Sequence, residues 1–245
     1  DALPISFAGA MAVSRLVWRR RPGESVAVGF LALFSNSVLL GLPIATRAYG
    51  EAELEAVFAI IAVHAPYCYL LGILTMEMSR RDGAPVSTAL ARTLRDMARN
   101  ALAIGIALGL VFNLAELPLP GPVAETLDLL ARASLPVALF GLGGALTRYA
   151  LRAELGEATV TAGFSLLVHP ALALLLTYHV FGLPEPFVRA AVVIAAMPPG
   201  INGYLFAAMY GRAMGTAAST VLLGTALSVA SITFWLWVLG GAALG

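Results

Sequence analysis

Two stretches of this 245-residue chain carry the residue types from which a binding site could be built without ion pairs, FSNSVLLGLPIATRAYG (34–50) and AAMPPGINGYLFAAMYG (195–211). Each places proline and glycine beside an asparagine inside an apolar run. Proline removes a backbone donor and obstructs the preceding turn, so Gly41 and Pro43 should disturb the first run. Pro198-Pro199-Gly200 should interrupt the second run near Met197, because each proline also restricts the residue before it. An interrupted helix leaves amide groups exposed at one half-helix end and carbonyls at the other, which attract anions and cations respectively. Asn36 and Asn202 would add neutral donor–acceptor side chains beside these ends, and Ser35 and Ser37 hydroxyls. Such a set can hold a carboxylate without burying a permanent counter-charge. The candidate binding residues are therefore Asn36, Ser37, Gly41, Pro43, Met197, Pro198, Pro199 and Asn202. The competing reading is that the prolines only kink their helices and the asparagines bond to nearby backbone.

Few other polar residues lie within apolar sequence. His64, in VHAPY, is a candidate proton relay, since an imidazole titrates near neutrality and ionisable groups inside apolar spans are functional candidates by default; a structural hydrogen bond is the alternative. His64, His169 and His179 lack the spacing that puts two metal ligands on one helix face, so no metal site is expected. No cofactor is expected either. His179 should lie at an interface beside Tyr178, and Cys68 should be inert packing. Asp128 and Arg132, four residues apart, should neutralise one another, and Glu77 should pair with Arg80 or Arg81. Arg47 could attract an anion at an outer mouth or simply snorkel. Asn113 should bond between helices, while Gly105 and Gly109 should allow close helix contact. A phosphate-binding loop is excluded, because the chain has no lysine, and nothing here suggests an enzyme.

These residues must be positioned by membrane-spanning elements. Hydrophobic types make up 60% of the chain, charged types 12%, and mean hydropathy is +0.87. A soluble domain carries roughly twice that charged fraction. All 15 basic residues are arginine, against 14 acids, and a net charge of +1 gives no nucleic-acid surface. Apolar runs of about 17–25 residues, the length that crosses a bilayer as helix, recur eight times, near 2–18, 26–48, 56–79, 100–118, 124–147, 158–181, 187–211 and 217–240. The expected fold class is therefore an all-α polytopic membrane protein. Arginines fall in alternate loops, after the first, third, fifth and seventh runs, while the opposite loops are mainly acidic. By the positive-inside rule the arginine-rich loops are cytoplasmic and both ends of the chain lie outside. Residues 80–99 form the one long loop, and from 86 onward its arginines share a helical face suited to anionic lipid headgroups.

Tyr49-Gly50 and Tyr210-Gly211 close the two broken spans at an offset of 161 residues. The spans would run in opposite directions, as in the inverted repeats of secondary transporters. Residues 100–245 would then be a five-helix repeat, 80–99 a linker, and 1–79 the last three helices of a first repeat. On this arithmetic the chain would be an N-terminally truncated or mis-started version of a ten-helix protein, lacking its first two helices. FSNSVLLGLP, LPVALFGLGGAL (135–146) and AAMPPGINGYLFAAMYG resemble the signature regions of the auxin efflux carrier family, whose bacterial members include malate and malonate permeases. The resemblance implies two inverted five-helix units and broken helices crossing at the substrate site. Pro43 and Pro198 would be the crossover prolines, and Asn36 and Asn202 the site asparagines. It further implies a secondary transporter in the plasma membrane moving a small organic anion such as a dicarboxylate by alternating access. Its partners would be lipid, a coupling proton or sodium ion, and a second copy as homodimer. A membrane sensor using the same site without transport is the alternative of a different class, and a sodium/bile-acid-symporter-like carrier the alternative within transport.

Overall fold

The computed structural model describes residues 2–50, 54–79, 95, 101–146 and 151–241. The regular elements named among them are helical. In chain order they are α1 (Ala2–Val17), α2 (Pro22–Leu33), α3 (Leu42–Tyr49), α4 (Leu54–Ser79), α5 (Ala101–Leu114), α6 (Gly121–Leu146), α7 (Leu151–Gly163), α8 (His169–Leu174), α9 (Glu185–Ala195), α10 (Ile201–Tyr210) and α11 (Met214–Gly241). π-Helical turns at Ser37–Gly41, Phe164–Val168 and Leu175–Val180 lead into α3, join α7 to α8 and extend α8. Residues 80–94 and 96–99, where an amphipathic linker helix is expected, lie outside the described residues.

A short apolar helix of 12 residues organises the core. α2 begins at Pro22, where a proline costs nothing because the first amides of a helix have no partner, and Glu24 Oε2 accepts from the Arg21 backbone N–H at 3.0 Å. Every residue from Ser25 to Leu33 is then buried, so α2 is apolar around its whole circumference and enclosed on all sides. Phe30 stacks on Phe206 of α10 at 3.9 Å between ring centroids, with Tyr69 of α4 at 5.5 Å. Such packing demands glycine at three contacts. A Cβ on Gly72 of α4 would lie 2.5 Å from the Phe30 ring, and one on Gly203 of α10 would lie 2.6 Å from Leu31. On Gly29 it would meet Met11 at 2.5 Å, which lets α1 lie directly on α2.

α11 packs along α7 and α10, and α9 along α4 and α8. α5 and α6 differ, since their described side chains are almost all exposed, among them Leu108, Val111, Leu129 and Leu130. α11 likewise exposes Val229 and Trp237. So much open apolar surface is untenable in water and suits hydrocarbon. Three described helices are long and apolar enough to cross a membrane, at Leu54–Ser79, Glu154–Val180 and Met214–Gly240. As their helix breakers predict, the runs at 26–48 and 187–211 are each split into two shorter helices. Gly105 and Gly109 depart from expectation, as no described neighbour stands within 4 Å of a Cβ built on either.

These glycines separate packing from propensity. Gly72→Ala should destabilise the protein by about 1–3 kcal/mol through overpacking against Phe30, whereas Gly105→Ala should stay within about 0.5 kcal/mol of wild type. Thermal unfolding in detergent, followed by circular dichroism, measures both.

Candidate functional site

Two chain segments leave helix in mid-core and return to it. After α2, Phe34 is extended, with φ −89° and ψ 94°. Asn36, at φ −75° and ψ 63°, is the centre of an inverse γ-turn, in which the Ser37 N–H donates to the Ser35 carbonyl at 2.8 Å. The Asn36 carbonyl then accepts from Leu40 at 3.3 Å and Gly41 at 3.1 Å, which starts the π turn into α3. After α9, Ala196–Gly200 carries the chain without helix into α10.

The two interruptions lie antiparallel, side by side. The Asn36 N–H donates to the Pro198 carbonyl at 2.9 Å and the Gly200 N–H donates to the Phe34 carbonyl at 3.0 Å, making a one-residue bridge between Ser35 and Pro199. Unpaired backbone in an apolar interior costs several kcal/mol per group, and here each break supplies the partners that the other lacks. Pro198 and Pro199 suit this place, because neither brings an N–H that would need an acceptor. The Met197 carbonyl accepts from Ser165 Oγ at 3.3 Å.

Close packing holds the crossing. A Cβ on Gly41 would stand 2.7 Å from Ile194 Cδ1 and 3.2 Å from Met197 Cγ. On Gly224 of α11 it would stand 2.7 Å from the Pro199 ring. Asn36, Ser37, Gly41, Met197, Pro198 and Pro199 are thus gathered at one locus, and Asn202 sits on the first turn of α10 just beyond it. Asn36 and Asn202 are half-buried, and neither side chain bonds to another described residue. Pro43 is the exception. It occupies the second position of α3, downstream of the interruption, and the π turn absorbs its missing amide while the Leu42 N–H reaches the Ser37 carbonyl. Pro43 and Arg47 line an open groove at the far end of α3.

His64 projects from α4 and is buried. Its ring meets Phe34 edge-on at 5.2 Å, which places it against the crossing. Other expectations fall out simply. Arg132 pairs with Asp128 at 2.8 Å, His179 packs against Tyr178 at 4.8 Å between ring centroids, and Cys68 is buried and free. Asn113 is exposed and makes no hydrogen bond to another described residue.

The sequence reading missed a buried carboxylate. Glu157 of α7 is 1% exposed and accepts from Ser14 Oγ of α1 at 2.7 Å and from Arg20 Nε at 2.9 Å. Thr216 Oγ1 of α11 lies 3.0 Å from Glu154 Oε2 and 3.2 Å from Glu157 Oε2. Burial works against the Arg20 charge, but the bond to Glu157 and the charges of Glu157, Glu154 and Glu24 outweigh it and raise the Arg20 pKa. The signal was an acidic residue immediately before the apolar run at 158–181, with the RRR of the first loop as its possible counter-charge. This network clamps α1, α7 and α11 at the arginine-bearing end of the core.

The fold and site together define a multi-pass helical membrane protein built on two crossed, interrupted helices. The sequence profile of the family described as membrane transport protein matches residues 3–236, and the chain belongs to that family. It is thus a membrane transporter rather than an enzyme. It is 26% identical over 244 residues to the "Putative malonate transporter" of Rhizobium meliloti (strain 1021), covering 98% of this chain and 75% of that protein. An "Uncharacterized transporter" of Methanothermobacter thermautotrophicus is 26% identical over 228 residues, 91% of this chain and 72% of that protein. "Auxin efflux carrier component 1" of Arabidopsis thaliana is 28% identical over 139 residues, 56% of this chain and 22% of that protein.

Replacing Glu157 by Leu strands the buried Ser14 hydroxyl and takes one partner each from Thr216 and Arg20, which keep Glu154, a loss of about 1–3 kcal/mol. Combining it with Arg20→Met should cost less than the two changes summed, since both remove one interaction. Unfolding midpoints of the singles and the double in detergent test this.

Proposed function

We propose that this chain is a secondary transporter that moves a small organic anion, a dicarboxylate such as malonate, by alternating access around the crossover. The supporting observation is the antiparallel pairing of Phe34–Asn36 with Pro198–Gly200, with the Asn36 and Asn202 amides left without side-chain partners beside it. Two helices restart at the crossing, at Ser37 and Ile201, and their first amides have no intrahelical acceptor. A carboxylate placed there would take N–H donors from both restarts and from both asparagines, with no arginine or lysine needing desolvation. The relative named as a malonate transporter supports the substrate class.

In this reading the chain spans the plasma membrane eight times. Residues 1–79 and 100–245 are related by inversion, 80–99 link them, the arginine-rich loops are cytoplasmic and both ends lie outside. Inversion suits the chemistry, because two half-sites related by a twofold in the membrane plane can present the same anion to either side in turn.

Reconstitution in liposomes with radiolabelled malonate tests the reading. Wild type should take up malonate, and Asn36→Ala and Asn202→Ala should each weaken uptake about 10- to 100-fold, the loss of one hydrogen bond to a charged group. Uptake by both variants at the wild-type rate would overturn the assignment to these residues. Tight malonate binding by the wild type with no flux would make the protein a receptor.

A further inference from the structure

A cavity of about 190 Å³ lies between α1, α4, α8 and α9, beside the crossing. Its walls are otherwise apolar or neutral, including Leu3, Ile60, Leu176, Ile194 and Thr177, yet two imidazoles face it, His64 and His169. Both are 3% exposed. Among the described lining residues there is no carboxylate, arginine or lysine. The other titratable groups near the pair are Cys68, whose Sγ is 3.8 Å from the His64 ring, and Tyr69, across the Phe34 ring at 5.4 Å; α1, α8 and α9 contribute none to the lining.

His169 Nδ1 is buried and has no hydrogen-bond partner among the described residues. A buried polar atom without a partner ordinarily costs about 1–3 kcal/mol, so its retention calls for a ligand or a proton. Its backbone is built for display. His169 stands where the π turn Phe164–Val168 passes into α8, and Pro170 follows it. π Turns widen a helix by one residue and frequently mark functional positions. On the facing helix, Pro66 lies inside α4 two residues beyond His64. The His64 ring in turn packs on Phe34, next to the Ser35–Pro199 bridge.

We infer that His64 and His169 form one proton-exchange site that couples anion movement to a proton gradient. This rests on the transporter reading above. One proton passes from water to a ring nitrogen of the pair, and returns to water on the other side when the crossing reorients. Two imidazoles sharing an apolar cavity take up one proton far more readily than two, so the pair acts as a single acceptor. The charge gained offsets one negative charge of the carboxylate held at the crossing. Because the His64 ring packs on Phe34, whose carbonyl takes part in the pairing of the two interruptions, the added charge lies next to the crossing. The proton is favoured over sodium, which needs several oxygen ligands and finds an apolar wall with two nitrogens.

The test uses the full chain in liposomes, with two readouts. An outward-to-inward gradient of one pH unit should drive about tenfold malonate accumulation for one proton per anion. His64→Gln and His169→Gln should each lose this accumulation while malonate-for-malonate exchange stays measurable. Gradient-driven accumulation at the wild-type level in both variants would overturn the inference, as would wild-type accumulation driven by sodium alone. The second readout needs no transport. In detergent, ¹⁵N-histidine spectra of the wild type and both variants should show the titration of His64 displaced by His169→Gln, and that of His169 displaced by His64→Gln, with His179 unmoved. Independent titration of the two rings overturns the coupled site, including where a variant has lost exchange. Absence of any malonate exchange by wild type, with coupled titration intact, would instead overturn the transporter reading and leave the histidine pair standing.

Discussion

The backbone of Phe34–Asn36 and that of Pro198–Gly200 satisfy one another across the middle of the core, and most of the packing around them follows from that constraint. An interrupted helix in an apolar medium must find partners for the groups it frees. One such break could be served by a side chain. Two antiparallel breaks can serve each other, provided the backbones come within hydrogen-bonding distance. That proximity dictates glycine at 41 and 224, where any side chain would strike Ile194 or Pro199. It also encloses α2, whose buried length delivers Phe34 and Ser35 to the crossing.

The scarcity of charge has the same origin. With the crossing closed by neutral amides and carbonyls, the site can present donors to an anion without a buried cation that would need a permanent partner. Charge is instead concentrated at the arginine-bearing end, where Glu157 gathers Arg20, Ser14 and Thr216 and fixes three helices relative to one another.

Much of this was legible in the sequence, for physical reasons that also explain what was not. Apolar length and helix breakers are local properties, so the helical membrane class and the two disturbed spans could be read directly. That Asn36 and Asn202 stand beside one crossing was implied by the family resemblance of the two broken spans. The exact seat of the first break was not. Pro43 advertises a break, but a proline near the start of a restarting helix is harmless, and the chain breaks earlier, at Phe34–Asn36, where the inverse γ-turn lets the backbone meet Pro198. Glu157 and the shared cavity of His64 and His169 were missed because each depends on residues more than a hundred positions apart. Gly105 and Gly109 were read as contact residues from type alone, and α5 shows no described neighbour there.

The central claim is that the two interruptions touch. A Cβ at Gly200 would lie 3.7 Å from that of Asn36, within the range a disulfide requires. Mass spectrometry of the Asn36→Cys/Gly200→Cys protein, with Cys68 replaced by Ala and mild oxidant added in the membrane, measures that contact. The account predicts a cross-linked peptide joining the two positions. Two cysteines that both react with a small alkylating reagent yet never cross-link would contradict it.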